Sequence, residues 1–546
     1  MNSGKFRSNW NHKFIILLVA FFGLFVYQLV AGSRPTKINK AQLDDGSGCT
    51  SIEVGRLASV DGSVITCHTC DGNYRQWVNI VPRRKNPPGT SNKIYEGKLH
   101  TETPDDSRGV ILKGEIPEVD ETFAFLNTAY PALNEQGLAI GETTIGGREE
   151  LYNPEGMFMI EELERVMLER CRTAREAIKL AGELVKQYGY GDYGECLTIA
   201  DGKEVWHFEI FGAGPLEKGA VWAAVRLPDD HIGISANIPR ISEINLKDPD
   251  HYLASDNVFK VAEEMGWWDP KKGEPFKFWK AYSGRKPFSI REFFVFNRLA
   301  PSLKLDYKSE ELPFSVKPDK KVSVRDILAL YRETYSGTEF DMSKNLLVKK
   351  RGSDEMVQSP VVSNWLSRDW INLINTLKPG TIEPQRTIAI NACAYATVIQ
   401  VRGWLPASVG AICWFSFDNP ALSARIPIFA GVTELPPGLA ISAQHRYRED
   451  SAAWSFRRAN RLAVLRWGEN KEIMENTVRE FEEKALAELP LVEKKVQEIM
   501  NSKNPAQEPL SVNQYLTIYT NDFARAAIQK YNELYELFWT KYARGF

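Results

Sequence analysis

The residue best suited to nucleophilic chemistry in this chain is Cys49, which follows Gly48 in the stretch "DGSGCTSIEV". A thiol becomes a nucleophile when a base takes its proton, and histidine is the usual base. None of the seven histidines lies in a recognisable protease signature. If the bond after Gly48 is cut, however, the new α-amine of Cys49, with a pKa of about 8, can act as the base. Gly48 leaves this bond uncrowded.

The segment before Cys49 differs from the rest of the chain. A basic stretch, residues 1–13, precedes an uncharged apolar run over residues 14–32. This order predicts an export signal or a single membrane anchor, and either one places the rest of the chain outside the cytoplasm. The sequence leaves cleavage and retention of the run equally open. Sixteen residues, 33–48, then separate the run from Cys49, which argues against a lipid-bearing cysteine and predicts a propeptide or tether.

Composition excludes several classes of protein. The chain has 546 residues, of which 43% are hydrophobic and 25% are charged, as in ordinary globular proteins. The net charge of -2 gives no reason to expect a nucleic-acid partner. Seven cysteines, an odd number, leave at least one thiol unpaired or paired to another chain. Cys67 and Cys70 form a C-x-x-C motif, but without a second such pair it predicts a metal site only weakly.

The hydrophobic pattern predicts the elements that would position Cys49. Helical periodicity runs over residues 157–188, and Thr173 with Glu176 forms a capping box that divides it into two helices. Short β-like runs precede and follow this region, at 51–54, 63–67, 196–200, 204–211, 222–226 and 232–236. Two charged helical runs, 451–502 and 512–544, end the chain. We therefore predict an α+β catalytic region over 49–450, with helices covering two antiparallel sheets, and a helical region over 451–546 packed on it.

Several stretches together resemble the dipeptidase-A/secernin family of N-terminal nucleophile (Ntn) cysteine hydrolases. The resemblance begins at Cys49 and continues to the C-terminus through "CTSIEVGRLASVDGSVITCHTCDG", "LNEQGLAIGETT", "DGKEVWHFEIFG", "VWAAVRLPDDHIGISANIPRI", "RETYSGTEFD", "QRTIAI" and "VIQVRGWLP". It implies a four-layer αββα sandwich with additional C-terminal helices. It also implies hydrolysis of dipeptides or short peptides without a metal or cofactor, and a homo-oligomer of unspecified size.

The resemblance, extended to the related cholylglycine hydrolases, implies a set of catalytic residues. Cys49 would be both nucleophile and base, and Asp71 would orient its amine. Asn237, in "SANIPRI", would donate to the oxyanion, a contact typically worth about 3 kcal/mol. Arg291, in "FSIREFF", matches a further site arginine. The bond between Gly48 and Cys49 would be the processing site.

Two positions depart from the related hydrolases. His68 stands where they have an arginine, and it is expected to bind a substrate carboxylate or to tune the thiol; a solvated strand histidine is the alternative. Thr144 stands where the bile-acid enzymes have a second oxyanion asparagine, so we expect it beside the substrate, with that donor supplied from elsewhere.

The proposed role of Asp71 makes a prediction about strand register. A two-residue turn at Asp61-Gly62 would place Asp71 opposite Ile52, on the face away from Cys49. A five-residue loop over residues 58–62 would place Asp71 directly opposite Cys49. The chemistry requires the second register, or a bulge with the same effect.

Three functions remain open from the sequence. The first is an exported cysteine dipeptidase that works through an acyl-enzyme. The second is a non-peptide amidase acting on N-acyl amino acids or related amides, which a pocket for a free substrate α-amine would argue against. The third is a non-enzymatic, secernin-like anchored binding protein, which is favoured if Cys49 is never liberated.

Overall fold

The computed structural model describes residues 48–214, 218–502 and 509–545. The predicted basic segment, apolar run and most of the predicted propeptide lie outside these described residues. Within the described part of the chain, no helix is long and apolar enough to cross a membrane.

Most strands are short, and several are buried along their whole length. In chain order they are β1 (Ser51–Val54), β2 (Val64–Asp71), β3 (Asn79–Val81), β4 (Arg84–Lys85), β5 (Ser91–Glu96), β6 (Ile111–Pro117), β7 (Glu121–Thr122), β8 (Phe125–Asn127), β9 (Leu133–Asn134), β10 (Ala139–Thr144), β11 (Glu195–Ala200), β12 (Val205–Gly212), β13 (Ala220–Arg226), β14 (Ile232–Ser235), β15 (Tyr252–Ala254), β16 (Ser315–Val316), β17 (Leu347–Lys349), β18 (Met356–Gln358), β19 (Cys393–Val401), β20 (Ala411–Phe417) and β21 (Ile426–Phe429).

The helices fall into an early pair, a scattered middle set and a long C-terminal set. They are α1 (Ile160–Arg170), α2 (Ala174–Tyr188), α3 (Lys260–Glu264), α4 (Phe278–Tyr282), α5 (Ile290–Leu299), α6 (Val324–Leu330), α7 (Arg368–Leu377), α8 (Ala407–Gly410), α9 (Ala452–Leu465), α10 (Trp467–Met500) and α11 (Val512–Lys541). The predicted pair of helices before residue 190 is confirmed, and Thr173 caps the second one through a reciprocal capping box with Glu176.

Two large antiparallel sheets form the centre of the described chain. The first has the strand order β16-β14-β1-β2-β19-β20-β21, and the second has the order β15-β13-β12-β11-β10-β9-β8-β3. Hydrogen bonds join their facing surfaces: Thr198 Oγ1 lies 2.6 Å from both Ser51 Oγ and Thr66 Oγ1. The strand segment that follows Cys49 is therefore central in its sheet and faces the other sheet.

Helices pack on both sheets. The early helix α2 contacts β11, β12 and β13 of the second sheet, whereas α9 contacts β20 and α11 contacts β21 of the first. Thr520 Oγ1 on α11 donates to the carbonyl of Pro427 on β21 (2.8 Å). The mixed α and β class that we predicted is confirmed, whereas the boundary at residue 450 stays a prediction.

The register between β1 and β2 differs from both predicted registers. Glu53 pairs with Thr66, Thr50 pairs with Thr69, and the amide of Gly48 donates to the carbonyl of Asp71 (3.1 Å). This pattern places Cys70 opposite Cys49, one residue from the required register. The prediction that Asp71 lies opposite Cys49 is therefore wrong.

The physical reason for this register lies in the connection between the strands. Instead of closing a short hairpin, the amides of Leu57 and Ala58 both donate to the carbonyl of Asp229, and Val60 donates to the carbonyl of Val322. These partners lie more than 150 residues away in the sequence, so local turn chemistry does not set the register.

The seven cysteines are buried and free. Cys67 and Cys70 lie three positions apart on β2, so their side chains point to opposite faces of the sheet. The C-x-x-C motif therefore forms neither a disulfide nor a paired ligand site in this fold.

Candidate active site

Cys49 lies just before β1, and only 2% of its surface is exposed. Burial raises the pKa of its thiol well above the usual range, and the nearby carboxylate of Glu142 adds to this shift. The thiol of the uncut chain is therefore protonated near neutral pH. Nucleophilic attack by Cys49 requires a base that takes this proton.

Arg291 holds the main chain around Cys49. It is the second residue of α5, a helix capped by Ser289. Its Nη1 donates to the carbonyl of Cys49 (2.6 Å) and to Thr50 Oγ1 (3.0 Å). Burial lowers the pKa of Arg291 to about 10, so the guanidinium stays charged at neutral pH. The structure thus places Arg291 next to Cys49.

Asn237 lies on the other side of Arg291. Its Oδ1 accepts from Arg291 Nη2 (2.8 Å), and its Nδ2 donates to the carbonyl of Thr144 (2.7 Å). The φ of Asn237 is 67°, a left-handed conformation that asparagine tolerates better than most residues. One hydrogen on Nδ2 remains for a further acceptor. Thr144 and Asn237, both predicted site residues, are therefore direct neighbours.

Asp71 ends β2, and its side chain lies on the face of the sheet opposite to the thiol of Cys49. Its Oδ2 accepts from Thr69 Oγ1 (2.9 Å) and from Arg386 Nη2 (2.7 Å). Its Oδ1 has no hydrogen-bond partner among the described residues. The main chain of Asp71 pairs with Gly48, the residue directly before Cys49.

Arg386 is a site residue that the sequence analysis missed, although it lies within the quoted "QRTIAI". Besides Asp71, its Nη2 donates to the carbonyl of Gly48. This is the carbonyl of the bond whose cleavage would liberate Cys49. A guanidinium on a carbonyl oxygen stabilises negative charge that develops there.

Gly48 adopts a conformation that other residues avoid. Its φ is 111°, and a Cβ added to it would overlap the side-chain amide of Asn237. The residue before Cys49 therefore has to be glycine for the junction to lie between Arg386 and Asn237.

Glu142, on β10, is the second residue that the sequence analysis missed. Its carboxylate, the thiol of Cys49 and a ring nitrogen of His68 all lie within 4.8 Å of one another. Burial raises the pKa of Glu142 to about 7, against the opposing effects of hydrogen bonds with Glu195 and Cys49. These three ligand types could also hold a divalent metal ion.

His68 is buried rather than a solvated strand histidine, as 2% of its surface is exposed. Its Nδ1 lies 2.6 Å from the carbonyl of Glu142, and because a carbonyl only accepts, Nδ1 carries the proton. Burial lowers the pKa of His68 to about 4, so the ring is neutral at pH 7. A neutral ring supplies no charge to a substrate carboxylate, and the role of His68 toward such a group stays a prediction.

Comparison with known proteins identifies the family. Residues 48–480 match the sequence profile of peptidase family C69, and the chain belongs to this family. The chain is 25% identical over 410 residues to a probable dipeptidase of Salmonella dublin, covering 71% of this chain and 82% of that protein. It is 25% identical over 407 residues to a probable dipeptidase of Latilactobacillus sakei, covering 71% and 75%. It is 22% identical over 427 residues to a probable dipeptidase B of Streptococcus pyogenes serotype M1, covering 76% and 78%.

Proposed function

We propose that this protein is an exported dipeptidase whose nucleophile is Cys49 after it becomes the N-terminal residue. The observation that carries the proposal is the junction itself. The Gly48 carbonyl is bound by Arg386, the Cys49 carbonyl is bound by Arg291, and Asn237 lies against Gly48. The names of the relatives, probable dipeptidases, support the same substrate class.

The fold proposed for this chemistry is the αββα sandwich of Ntn hydrolases. Two facing antiparallel sheets, with helices packed on each, are compatible with it. Export is proposed from the basic and apolar segments before residue 33 alone.

In the proposed mechanism, the neutral α-amine of Cys49 takes the proton of its own thiol. The sulfur then attacks the peptide carbonyl of the substrate, and the free hydrogen on Asn237 Nδ2 donates to the oxyanion. Collapse breaks the C–N bond, the amine returns its proton to the leaving amino acid, and a thioester remains. Water attacks the thioester with the same amine as base, which releases the acyl part as a carboxylate and restores the thiol.

The free oxygen of Asp71 supports a role in holding the Cys49 amine. Once the bond to Gly48 is cut, the new ammonium needs an acceptor, and Asp71 Oδ1 has none of its own among the described residues. Arg386 fixes the other oxygen, so the carboxylate cannot turn away.

The test is the N-terminus and activity of wild-type protein beside Gly48→Ala. Intact mass should show a wild-type chain that starts at Cys49 and hydrolyses dipeptides. Gly48→Ala should retain the preceding residues and be inactive, because the junction cannot adopt its conformation.

The matched control for this test is Gly89→Ala. Gly89 also has a positive φ, 79°, but nothing lies within 4 Å of an added Cβ. This variant should be cut and active. Full dipeptidase activity in a chain that keeps the Gly48–Cys49 bond would refute the amine-base mechanism.

A further inference from the structure

We propose that Glu142, supported by Glu195, forms the subsite that binds the protonated α-amine of a peptide substrate. The proposal rests on the proposed function, because it takes Cys49 as the attacking group. It defines the substrate class as peptides with an unblocked N-terminus, and it separates peptide hydrolysis from hydrolysis of N-acyl amino acids.

Hydrogen-bond acceptors near Cys49 lack donors within the described chain. Among the described residues, Glu142 Oε2 and His68 Nε2 are buried and have no hydrogen-bond partner. Because His68 is neutral and its Nδ1 carries the proton, Nε2 presents a lone pair. His68 Nε2 is therefore an acceptor, as is Glu142 Oε2 once the carboxyl is ionised, and the partner that they then lack is a donor.

The buried acids near Glu142 lack a counter-ion among the described residues. Glu195 lies beside Glu142, and burial, together with Glu142 and Asp192, raises the pKa of Glu195 well above its usual range. Burial raises the pKa of two further acids, Glu161 and Glu164, and Glu142 and Glu161 add to the shift of Glu164. Over the described chain, no lysine or arginine forms an ion pair with any of these five acids. A buried acid without a counter-ion stays protonated, and a cationic ligand is the partner that allows it to ionise.

Arg75, a buried arginine that follows β2, does not serve this purpose. Arg75 lies 3.7 Å above the ring of Trp77 and donates to Asn127 Oδ1 (3.2 Å). Its charge acts on Glu161 and Glu162, but among the described residues it forms no hydrogen bond or ion pair with Glu142 or Glu195.

The distance from the nucleophile also supports the proposal. In a dipeptide the α-nitrogen lies two bonds, about 2.5 Å, from the scissile carbonyl carbon. That carbon must come within about 3.5 Å of the attacking sulfur. A charge-assisted hydrogen bond adds about 2.8 Å. A carboxylate that binds the ammonium must therefore lie within several ångströms of Cys49 Sγ, and Glu142 lies within 4.8 Å of it.

The ammonium group suits this place better than other donors. It carries three N–H donors and one positive charge, so a single group can bind Glu142 and also donate to His68 Nε2. An N-acylated substrate offers one neutral N–H and a bulky carbonyl there. The site should therefore reject blocked substrates.

The experiment compares two substrates of the same carbon skeleton, Ala-Ala and N-propionyl-alanine, which lacks only the amine. Wild-type protein should prefer Ala-Ala by at least about 100-fold in kcat/KM, since a site built to bind a substrate N–H rejects the analogue without it. Glu142→Gln should reduce this preference about 100-fold, chiefly through KM for Ala-Ala. Glu142→Asp, which keeps the charge, should restore part of it.

Glu209→Gln is the matched control. Glu209 is also a buried acid with one unpartnered oxygen, but its other oxygen lies 3.1 Å from His207 Nε2, and it does not belong to the group around Cys49 Sγ. Its substitution should leave the preference for Ala-Ala at the wild-type value. Thermal melting of each variant confirms that it is folded before its kinetics are measured.

Three outcomes would overturn the subsite. Glu142→Gln could lower kcat/KM equally for both substrates, which would assign Glu142 to the nucleophile. Wild-type protein could hydrolyse N-propionyl-alanine as well as Ala-Ala. Purified protein could contain a stoichiometric metal ion that activity requires, which would assign Glu142 and His68 to that metal. Failure of the proposed function looks different: a chain that starts at Cys49 then hydrolyses neither substrate.

Discussion

Two groups of cysteine, histidine and glutamate lie within the described chain, and they differ in the charge of their histidine. One is the group of Cys49, His68 and Glu142. The other is built around His207, whose Nδ1 lies 2.8 Å from Glu53 Oε1 and whose Nε2 lies 3.1 Å from Glu209 Oε1. Cys196 Sγ lies 3.3 Å from the same Nε2.

The difference is the protonation of the histidine. Although burial opposes it, the contacts with Cys196 and Glu53 raise the pKa of His207 well above its usual range, so a cation stands between two carboxylates. His68 is neutral, and Glu142 has no cation beside it among the described residues. Similar residue types therefore form a charge-compensated cluster around His207 and a cluster that lacks a cation around His68. We expect the first cluster to stabilise the fold and the second to suit a ligand.

The largest expected effect separates the two cysteines. Cys49→Ala should lower dipeptide hydrolysis by about 10⁴-fold or more, because it removes the nucleophile. Cys196→Ala should stay within about threefold of wild-type kcat/KM, since Cys196 has no free amine and lies in the compensated group. Steady-state kinetics on purified variants decide this. Comparable losses in both would abolish the distinction between the groups.

The next largest effect concerns cleavage of the Gly48–Cys49 bond. Arg386→Met should slow cleavage before Cys49 about 100-fold, because it removes a donor from the Gly48 carbonyl. The exposed Arg298, changed to Met, serves as control and should be cut normally. Intact mass measured over a time course gives both rates. Normal cleavage of Arg386→Met would remove this residue from processing.

Stability should change most in the His207 group. Glu53→Gln leaves the His207 cation with one carboxylate fewer and should cost about 3 kcal/mol of the free energy of unfolding. Chemical denaturation at pH 7 measures this, with Glu164→Gln as the matched buried control. A loss no greater than that of the control would show that the Glu53–His207 pair contributes little.

The smallest effect has the opposite sign and depends on pH. Glu142 keeps its proton up to a pKa of about 7 in the folded chain, whereas the unfolded chain loses it near the ordinary value of 4.5. Between these values the unfolded chain binds fewer protons, so this group lowers stability as pH rises, by up to about 3 kcal/mol.

Glu142→Gln should therefore raise the melting temperature at pH 8 and leave it nearly unchanged at pH 4.5. Differential scanning fluorimetry across this range, with each variant compared with wild-type protein, measures the difference. A gain that is equal at both pH values would point to packing rather than ionisation.

Much of the fold followed from local sequence signals. The capping box at Thr173, the β-like runs that form β11 and β12, and the start of α11 depend on neighbouring residues, and all three are confirmed. The register of β1 depends on Asp229 and Val322, which no local pattern identifies.

The same division applies to the site. Cys49 and Asn237 lie in distinctive motifs and Arg291 in a less distinctive one, and the structure brings the three together. Glu142 and Arg386 were missed because their importance comes from what surrounds them: one is a buried acid without a cation, and the other reaches a carbonyl far away in the chain. A lone acid amid the small and apolar residues of "GLAIGETT" was the available signal for Glu142.

The contacts at Gly48 and Cys49 also have a consequence for biosynthesis. The arginines that bind the two carbonyls lie 338 and 242 positions further along the chain. Under the proposed maturation, a nascent chain therefore cannot release the α-amine of Cys49 until most of the polypeptide has left the ribosome and folded. Truncated or misfolded chains would keep residues 1–48 and remain inactive. Removal of these residues would therefore mark a chain that has completed folding.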